Sequence, residues 1–579
     1  MKIHWPVSDT VRVIARGSCL AVLAVAGAAS VATGQEKPFR IEVVDRATGR
    51  GVPLVELETT GGLRYVTDSA GVVAFDEAGL LGRKVWFTVR GHGYEHRKDG
   101  FGFRGVSLET RPSGTAKIIV DRLNVAERLY RVTGQGIYRD TVLTGGKPPL
   151  RKPLLNGGVV GQDTVLAVPF GGRVLWFWGD THRVRYPLGL FETSGAWSKL
   201  PGQGGPDPAV GVDLHYFTGR DGFSRAMCPI EGPGVVWIGG VCVATEKDGS
   251  PALVCHYSRR KGLTEPLENG LARWNAKRDV FKKWRELPLN ETRHVTHHPT
   301  SVRIDGVRWL VAGDPFPRLR VRATLADVGS PDRYEAWTPD RGWHPTSSPL
   351  PRQREYELRD VDTGRKVRAR PGSVRWNPHR RRWIAIFGEV FGKTSMLGET
   401  WYAEADTITG PWVWAKKIVT HDGYSFYNVT HHAFMDAEGG RRIFFEGTYT
   451  TLFAKTKVRT PRYDYNQIMY ALDLDDPRLH LPVAVYRWQA AGAERFGTRE
   501  AAEAAGAWPK VDVIAFFARP PDRPGAGSIP VRGDGGTVRF HALPRDSKTP
   551  GPTVERHEGR VWPNPLQELP LSPAMLPDQ

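Results

Sequence analysis

One structural unit recurs along most of this 579-residue chain. An apolar strand is followed by a tight turn and a second apolar strand, which ends near a glycine and an acidic residue. The unit begins near positions 163, 233, 300, 371 and 430. Such regular recurrence is typical of a β-propeller, in which each repeat forms one four-stranded blade. The sequence therefore predicts a five-bladed β-propeller over 151–520, with two stacked β-sandwiches as the alternative.

The first copy of the unit contains a hairpin with a readable register. Two apolar runs flank Gly171-Gly172, which suits a two-residue turn because glycine adopts positive φ without strain. A hairpin centred on this turn places Asp163 opposite Asp180. Like charges placed opposite each other destabilise a sheet, whereas paired carboxylates perform general acid, base or nucleophile work. We therefore take Asp163 and Asp180 as the candidate catalytic pair; a turn cap or an arginine partner is the structural alternative.

Residues at the edges of the other copies form a second group of candidates. In a propeller, each inner strand starts at the end of the channel where the second strand of the blade stops, so these edge residues converge. Two further residues belong to this group. Glu399 is a candidate third carboxylate, and Trp401 offers an aromatic face on which a sugar ring could stack. Packing within a blade is the structural alternative for the tryptophan. The candidate substrate-binding residues are His297, His298, Asp314, Glu389, Glu399, His432, Glu446 and Trp401.

The histidines of this group have two interpretations. A turn at Asp305-Gly306 places His297 opposite Asp314, which is an ordinary acid–base or orienting pair. Together with His294 and His431, the histidines can instead converge on a metal ion. Substrate hydrogen bonding or proton transfer is the preferred interpretation, so we predict no metal and no cofactor.

Two stretches resemble known glycosidases. GQDTVLAVPFGGRVLWFWGDT, residues 161–181, resembles the opening of the "domain of unknown function 4185" proteins in its order of Gly-x-Asp, strand, glycine-rich turn and Gly-Asp-Thr. SMLGETWYAEADTITGPW, residues 395–412, is similar to a strand and turn of the glycoside hydrolase family forty-three clan. The first resemblance implies a five-bladed propeller glycosidase acting on D-arabinofuranose polymers, with Asp163 and Asp180 as the catalytic carboxylates.

The chain before the propeller contains short strands separated by Gly, Asp and Ser. VVDRATGRGVPLVELETTGG, YVTDSAGVVAF and VWFTVRGHGYEHRKD resemble the carboxypeptidase-regulatory-like (transthyretin-like) domain, which implies a small accessory β-sandwich over 35–122. We expect 123–150 to be a linker and 521–579 to be a Pro/Gly-rich tail. A helix is predicted over 498–507, and a strand over 511–518 is expected to close the ring.

Residues 1–34 have the features of a secretory signal peptide. Lys2, Arg12 and Arg16 precede an apolar run that is too short to span a bilayer, and small residues precede Gln35. An uncleaved anchor is the alternative, and no later segment is apolar enough to cross a membrane. We therefore expect a secreted or periplasmic protein.

The net charge of the chain indicates which classes of partner it is expected to bind. The formal net charge of +18 favours anionic partners such as acidic glycans. No nucleic-acid motif accompanies it, so we predict a polysaccharide or oligosaccharide partner and no nucleic acid. The predicted function is a secreted glycoside hydrolase. The alternatives are a polysaccharide lyase, which the basic balance and paired histidines suit, and a non-catalytic glycan-binding surface protein.

Overall fold

The computed structural model describes residues 37–338, 341–350, 358–479, 481–490, 493–508, 513–518, 561–562 and 576–577. The predicted signal peptide and most of the predicted tail lie outside these residues. The described chain is nearly all β, as predicted. Its helices are α1 (Arg139–Leu143), α2 (Leu325–Val328), α3 (Arg499–Ala504) and the 3-10 turns Pro331–Arg333, Ala433–Met435, Glu438–Gly440 and Pro477–Leu479. No helix of the described residues has the length and apolar character needed to cross a bilayer.

Residues 37–122 form an amino-terminal module of eight strands. They are β1 (Phe39–Asp45), β2 (Val55–Thr59), β3 (Arg64–Val66), β4 (Val72–Phe75), β5 (Lys84–Gly91), β6 (Tyr94–Glu95), β7 (Gly105–Glu109) and β8 (Thr115–Arg122). β1 pairs with β4 and, in parallel, with β8, while β5 pairs with β2 and β7; β6 joins the two halves. Both halves contribute to one core, which includes Ile41, Leu57 and Phe87. The sandwich and its resemblance to the regulatory-like domain stay predictions.

Five mainly antiparallel sheets follow one another within the described residues, and we number them as blades 1 to 5. Before them lie β9 (Glu127–Arg131) and β10 (Val159–Gln162). Blade 1 contains β11 (Val165–Phe170), β12 (Arg173–Trp178), β15 (Ser194–Ser198) and β16 (His215–Tyr216), with β13 (Thr181–Arg183) and β14 (Tyr186–Leu190) as a side hairpin. Blade 2 contains β17 (Val235–Thr245), β18 (Pro251–Lys261), β19 (Glu265–Asn275) and β20 (Val280–Leu287).

The remaining blades repeat this arrangement. Blade 3 contains β21 (Thr300–Ile304), β22 (Val307–Gly313), β23 (Pro317–Arg322), β24 (Glu335–Thr338) and β25 (Gly342–Pro345). Blade 4 contains β26 (Arg359–Asp360), β27 (Ala369–Asn377), β28 (Arg382–Glu389), β29 (Thr400–Ala405) and β30 (Trp414–Val419). Blade 5 contains β31 (Ser425–His431), β32 (Arg442–Thr450) and β33 (Asn466–Asp473).

The strands β12 of blade 1 and β28 of blade 4 are buried on both faces. Every residue of β28 is buried, and β12 buries five of its six residues, including Trp176 and Trp178. A sheet covered on both faces by neighbours requires continuous apolar runs rather than alternation. This explains why these segments read as uninterrupted apolar stretches in the sequence.

The blades form a closed ring. Each blade hydrogen-bonds to the next one along the chain, and blade 5 bonds back to blade 1. The contacts are Arg173 to Asp279, Arg308 to the Val243 carbonyl, Thr300 to the Val374 carbonyl, the His431 amide to Ser373, and the Thr164 amide to Thr448. The predicted five-bladed propeller is therefore confirmed.

The ring closes through a strand that lies far away in the sequence. β9, inside the segment that we expected to be a linker, pairs with β33 as the fourth strand of blade 5. The expected closure by the strand over 511–518 is wrong, because β36 (Val513–Ala518) pairs with β34 (Val483–Ala490) in a separate sheet with β35 (Ala493–Gly497) and β37 (Val561–Trp562). The last strand, β38 (Leu576–Pro577), pairs with β21.

Candidate active site

The hairpin of blade 1 has the predicted register. Val165 lies opposite Trp178, and Gly171 and Gly172 form the turn with φ of 59° and 75°. Beyond the regular ladder, the Asp163 amide donates a 3.3 Å hydrogen bond to the Asp180 carbonyl oxygen. Asp163 and Asp180 therefore lie side by side at one end of blade 1, and both side chains are partly exposed.

The two carboxylates have different hydrogen-bond donors. The Tyr427 hydroxyl, from the start of β31 in blade 5, donates to Asp163 Oδ2 at 3.1 Å, and the Tyr465 side chain also faces Asp163. The indole N–H of Trp237, from the start of β17 in blade 2, donates to Asp180 Oδ1 at 2.7 Å. The carboxylate pair is thus held where blades 5, 1 and 2 meet.

Burial makes both acids weaker, and the charge of Asp180 adds to this effect at Asp163. Burial, followed by the charge of Asp180, raises the pKa of Asp163 to about 7, although the bonds from Tyr427 and Tyr465 oppose this change. Burial raises the pKa of Asp180 to about 6 against the stabilising bond from Trp237. Between about pH 6 and pH 7, therefore, Asp163 is mostly protonated while Asp180 is mostly ionised, which are the two forms that acid–base catalysis requires.

A buried network of amides and hydroxyls lies behind Asp163. Gln162 donates to Ser194 Oγ at 2.6 Å and accepts from the Tyr216 hydroxyl at 2.7 Å. Gln467 of blade 5 donates to the Gln162 carbonyl at 3.2 Å and to Thr448 Oγ1 at 2.8 Å. These bonds cross the junction between blades 5 and 1, so the backbone that carries Asp163 is fixed from both sides.

Three further predicted residues, His297, His298 and Asp314, flank the first two strands of blade 3 at one end of that blade. His297 faces Asp314 as predicted, with 3.8 Å between Nε2 and Oδ2. His298 Nε2 lies 2.8 Å from Thr430 Oγ1 of blade 5. Burial, followed by the nearby Arg375 guanidinium, lowers the pKa of His298 well below its usual range, so this imidazole is neutral.

His432 and Glu446 lie in the interior instead of at the channel edge. His432 Nε2 is 2.7 Å from Glu446 Oε1, and both side chains are fully buried. The His432 ring also packs against the Trp176 indole of blade 1. We predicted both as substrate-binding residues, but this position makes them a structural pair between blades 5 and 1.

Glu389, Glu399 and Trp401 form a buried polar cluster in blade 4. Arg365 donates to both oxygens of Glu389, and the Trp401 indole donates to Glu389 Oε2 at 2.9 Å. Glu399 accepts from Thr420 at 3.0 Å and lies 3.1 Å from Lys417 Nζ. Because Trp401 is only 1% exposed, it has no face free for a sugar ring, contrary to our expectation.

Sequence reasoning missed the donors that define the site, namely Tyr427, Tyr465 and Trp237. The start of blade 5 was predicted at 430, whereas β31 begins at Ser425, so Tyr427 fell outside the expected unit. Tyr465 ends a long connection that has no repeat pattern. Within the described residues, no cluster of three or more His, Cys, Asp or Glu side chains is arranged to hold a metal ion.

No protein-family model matches this chain, and no curated protein matches it significantly in sequence. Among solved structures, it is similar to an exo-1,5-alpha-L-arabinanase from a bovine ruminal metagenomic library, at 9% identity and a TM-score of 0.30 over 59% of this chain and 99% of that one.

Two further solved structures show similarity at the same level. The exo-beta-1,3-galactanase of Phanerochaete chrysosporium has 9% identity and a TM-score of 0.31, over 60% of this chain and 65% of that one. The GH43_1 enzyme of Xanthomonas citri has 10% identity and a TM-score of 0.32, over 59% and 91%. These similarities are too low to assign a function, and the description of the fold rests on the strand pairing given above.

Proposed function

We propose that this protein is a glycoside hydrolase acting on a polysaccharide. The observation that carries the proposal is the pair Asp163 and Asp180, which lie side by side at the end of the blade 1 hairpin with pKa values of about 7 and about 6. Hydrolysis of a glycosidic bond needs one protonated and one ionised carboxyl group flanking that bond. A pair of this kind supplies both forms near neutral pH.

The different surroundings assign a role to each carboxyl group. Asp163 has the higher pKa and acts as the general acid that protonates the leaving glycosidic oxygen. Asp180 has the lower pKa and acts as the nucleophile or as the base that activates water, while the Trp237 indole holds its Oδ1. The anomeric form of the first product distinguishes these two roles of Asp180, because a nucleophile retains configuration and a base inverts it.

The substrate class follows from two further features. The resemblance of residues 161–181 to arabinan-degrading proteins favours arabinofuranose-containing polymers. Exposed Lys393, Lys455 and Lys457 lie on the connections that follow the second strands of blades 4 and 5, at the same end of the ring as Asp163. Cationic side chains at this end favour a polymer that carries negative charge. Polysaccharide cleavage outside the cell agrees with the export expected from residues 1–34.

A glycan panel tests the proposal. The purified protein is incubated with arabinans, neutral glycans and acidic polysaccharides, alongside Asp163→Asn, Asp180→Asn and Asp248→Asn. Asp248 is the matched control, because it is an exposed aspartate in the β17–β18 turn that bonds only to Ser250. We expect sugar release by the wild type and Asp248→Asn, and a loss of about a hundredfold or more in the other two variants.

Two outcomes would favour the alternative functions. A product with a new carbon–carbon double bond, detected by ultraviolet absorbance, would identify a lyase. Glycan binding by all four proteins without any cleavage would identify a binding protein. Sugar release that is unchanged in Asp163→Asn would remove the proposed mechanism.

A further inference from the structure

The amino-terminal module touches the connection between β32 and β33, residues 451–465, which carries Tyr465. The Tyr463 hydroxyl donates a 2.7 Å hydrogen bond to the Thr67 carbonyl oxygen at the end of β3, and both residues are buried. Arg462 donates to the Val66 carbonyl at 3.4 Å and to Asp140 of α1 at 3.0 Å. The connection is therefore anchored outside the propeller on the residues immediately before Tyr465.

The anchored backbone has an unfavourable conformation. Arg462 and Tyr465 have φ of 65° and 63°, in the left-handed region where a side chain costs free energy. Such conformations persist only where neighbouring groups fix them. Here Arg131 of β9 donates to the Arg462 carbonyl, and the Arg131 guanidinium lies over the Tyr463 ring at 4.9 Å.

The other end of this segment reaches the carboxylate pair. The Tyr465 side chain faces Asp163, and the Tyr465 ring stacks on His182 with 4.5 Å between ring centroids. The Tyr465 carbonyl oxygen accepts from the Gln162 amide at 2.8 Å, next to Asp163. A continuous chain of contacts thus runs from Thr67 through Tyr463 and Tyr465 to Asp163.

We propose that the amino-terminal module is a functional part of the carboxylate site, with Tyr463 as the positioning residue through which the module sets the Tyr465 hydroxyl against Asp163. The role of this contact in catalysis rests on the function proposed above. A module that only accompanied the propeller would not need a buried bond beside the residue that touches the general acid.

The pKa of the Asp163 carboxyl group depends on the position of the Tyr465 side chain, so a measurement of that pKa detects a displacement of Tyr465. Asp163 is faced by the Asp180 carboxyl from its own blade, by Tyr427 from β31 and by Tyr465 from the connection. His182 stacks on Tyr465, and the charges of Arg459 and Asp464 act on His182. A hydroxyl that donates to a carboxylate stabilises its ionised form. If Tyr465 is displaced, the pKa of Asp163 rises and the protein retains the acid form to higher pH.

The experiment uses the full-length chain with Tyr463→Phe, Tyr465→Phe and the double variant. Tyr463→Phe keeps an aromatic ring under the Arg131 guanidinium and removes only the hydroxyl group. We expect the basic limb of the pH–activity profile to move up by about one pH unit in Tyr465→Phe, the effect of one hydrogen bond to a charged acceptor. Tyr463→Phe should shift it in the same direction by less, and the double variant should match Tyr465→Phe.

The control is Tyr334→Phe. Tyr334 is also buried and donates a 3.0 Å bond to a backbone carbonyl, that of Val328 in blade 3, away from the carboxylates. Tyr334→Phe should lower the free energy of unfolding by about as much as Tyr463→Phe does, and it should leave the pH–activity profile unchanged. An unchanged profile in Tyr463→Phe, or fully additive shifts in the double variant, would overturn the proposal.

A second measurement separates this inference from the proposed function. Infrared difference spectra, wild type minus Asp163→Asn, follow the protonation of the Asp163 carboxyl without any substrate. A raised titration midpoint in Tyr463→Phe would support the positioning role even if no glycan were cleaved. An unchanged midpoint in an enzyme that cleaves glycans would refute the positioning role and leave the proposed function intact.

Discussion

Asp163 and Asp180 are joined across the end of one β-ladder by a 3.3 Å hydrogen bond from the Asp163 amide to the Asp180 carbonyl oxygen. Their side chains are held by donors from opposite neighbours, two phenols from blade 5 for Asp163 and one indole from blade 2 for Asp180. One short ribbon thus carries two acids in two different environments. The predictions below follow from this asymmetry and from the contacts that maintain it.

Activity should have a narrow, bell-shaped pH profile with its maximum between about pH 6 and pH 7. Asp180, with a pKa of about 6, must be ionised, and Asp163, with a pKa of about 7, must be protonated. The measurement is kcat/KM for the best glycan of the panel from pH 4 to pH 9. A flat profile across pH 5–8 would contradict the assignment of roles.

Asp163→Asn should be more stable than the wild type in alkaline solution. The folded state raises the pKa of Asp163 from 3.8 to about 7, so the folded protein binds this proton more tightly than the unfolded chain does. The stabilisation from this group is complete below about pH 4 and is lost as the pH rises through 7. Asparagine avoids the loss, which is on the order of 2–4 kcal/mol at pH 8.

The measurement is the free energy of unfolding of both proteins from pH 4 to pH 8. The advantage of Asp163→Asn should grow with pH up to about 7 and then level off. Asp248→Asn, at an exposed turn, should differ from the wild type by a nearly constant amount. An advantage that shrinks with rising pH would show that Asp163 is stabilised in its ionised form.

Trp237→Phe should move the acidic limb of the pH profile upward. The variant removes the N–H that donates to Asp180 Oδ1 at 2.7 Å, so the ionised carboxylate loses stabilisation and its pKa rises. We expect a shift of about one pH unit and a loss of about fivefold in kcat/KM at pH 6, where the ionised fraction of Asp180 falls from about one half to about one tenth. Trp274 packs in the apolar core between blades 1 and 2. Trp274→Phe is therefore the control and should leave the acidic limb of the pH profile unchanged.

The turn of the blade 1 hairpin should tolerate asparagine better than alanine. Gly171 has φ of 59°, a conformation that alanine adopts only with strain, and none of the described residues has an atom within 4 Å of an added Cβ. Gly171→Ala should therefore lower the free energy of unfolding by about 1 kcal/mol. Gly171→Asn should cost less than half of this, because Asn-Gly suits this turn. The measurement is chemical denaturation of both variants. If Gly171→Ala and Gly171→Asn lowered the free energy of unfolding equally, backbone strain would not be the cause of the loss.

Arg128→Met should weaken the junction between the amino-terminal module and blade 5. Arg128, 1% exposed on β9, donates to the Pro53 and His92 carbonyls of the module and to the Tyr470 hydroxyl of blade 5. Methionine leaves these buried oxygens without their donor, at a cost of about 2–4 kcal/mol. Chemical denaturation measures this cost. Arg478→Met removes a partly exposed ion pair with Asp476 and longer bonds of 3.2 and 3.5 Å to the Asn124 and Val125 carbonyls, so it should cost less than Arg128→Met.

Local turn chemistry made two hairpins predictable. Gly171-Gly172 and Asp305-Gly306 all have positive φ, and each turn fixes which residues oppose each other. The pairs Asp163–Asp180 and His297–Asp314 follow from these turns. Blade 5 departs from the predicted unit, because β32 continues from Arg442 to Thr450. Glu446 therefore lies in mid-strand, fully buried, instead of at the end of the strand.

The amino-acid sequence by itself determined the all-β class, the number of blades and the placement of two aspartates opposite each other, because strand periodicity and glycine turns act over a few neighbouring residues. Only the tertiary structure decided which strand completes the ring, since β9 pairs with β33 across more than three hundred residues of sequence. It also decided which polar side chains surround the acids. Tyr427, Tyr465 and Trp237 come from three separate segments, and only the closure of blades 5, 1 and 2 around one point brings them to Asp163 and Asp180.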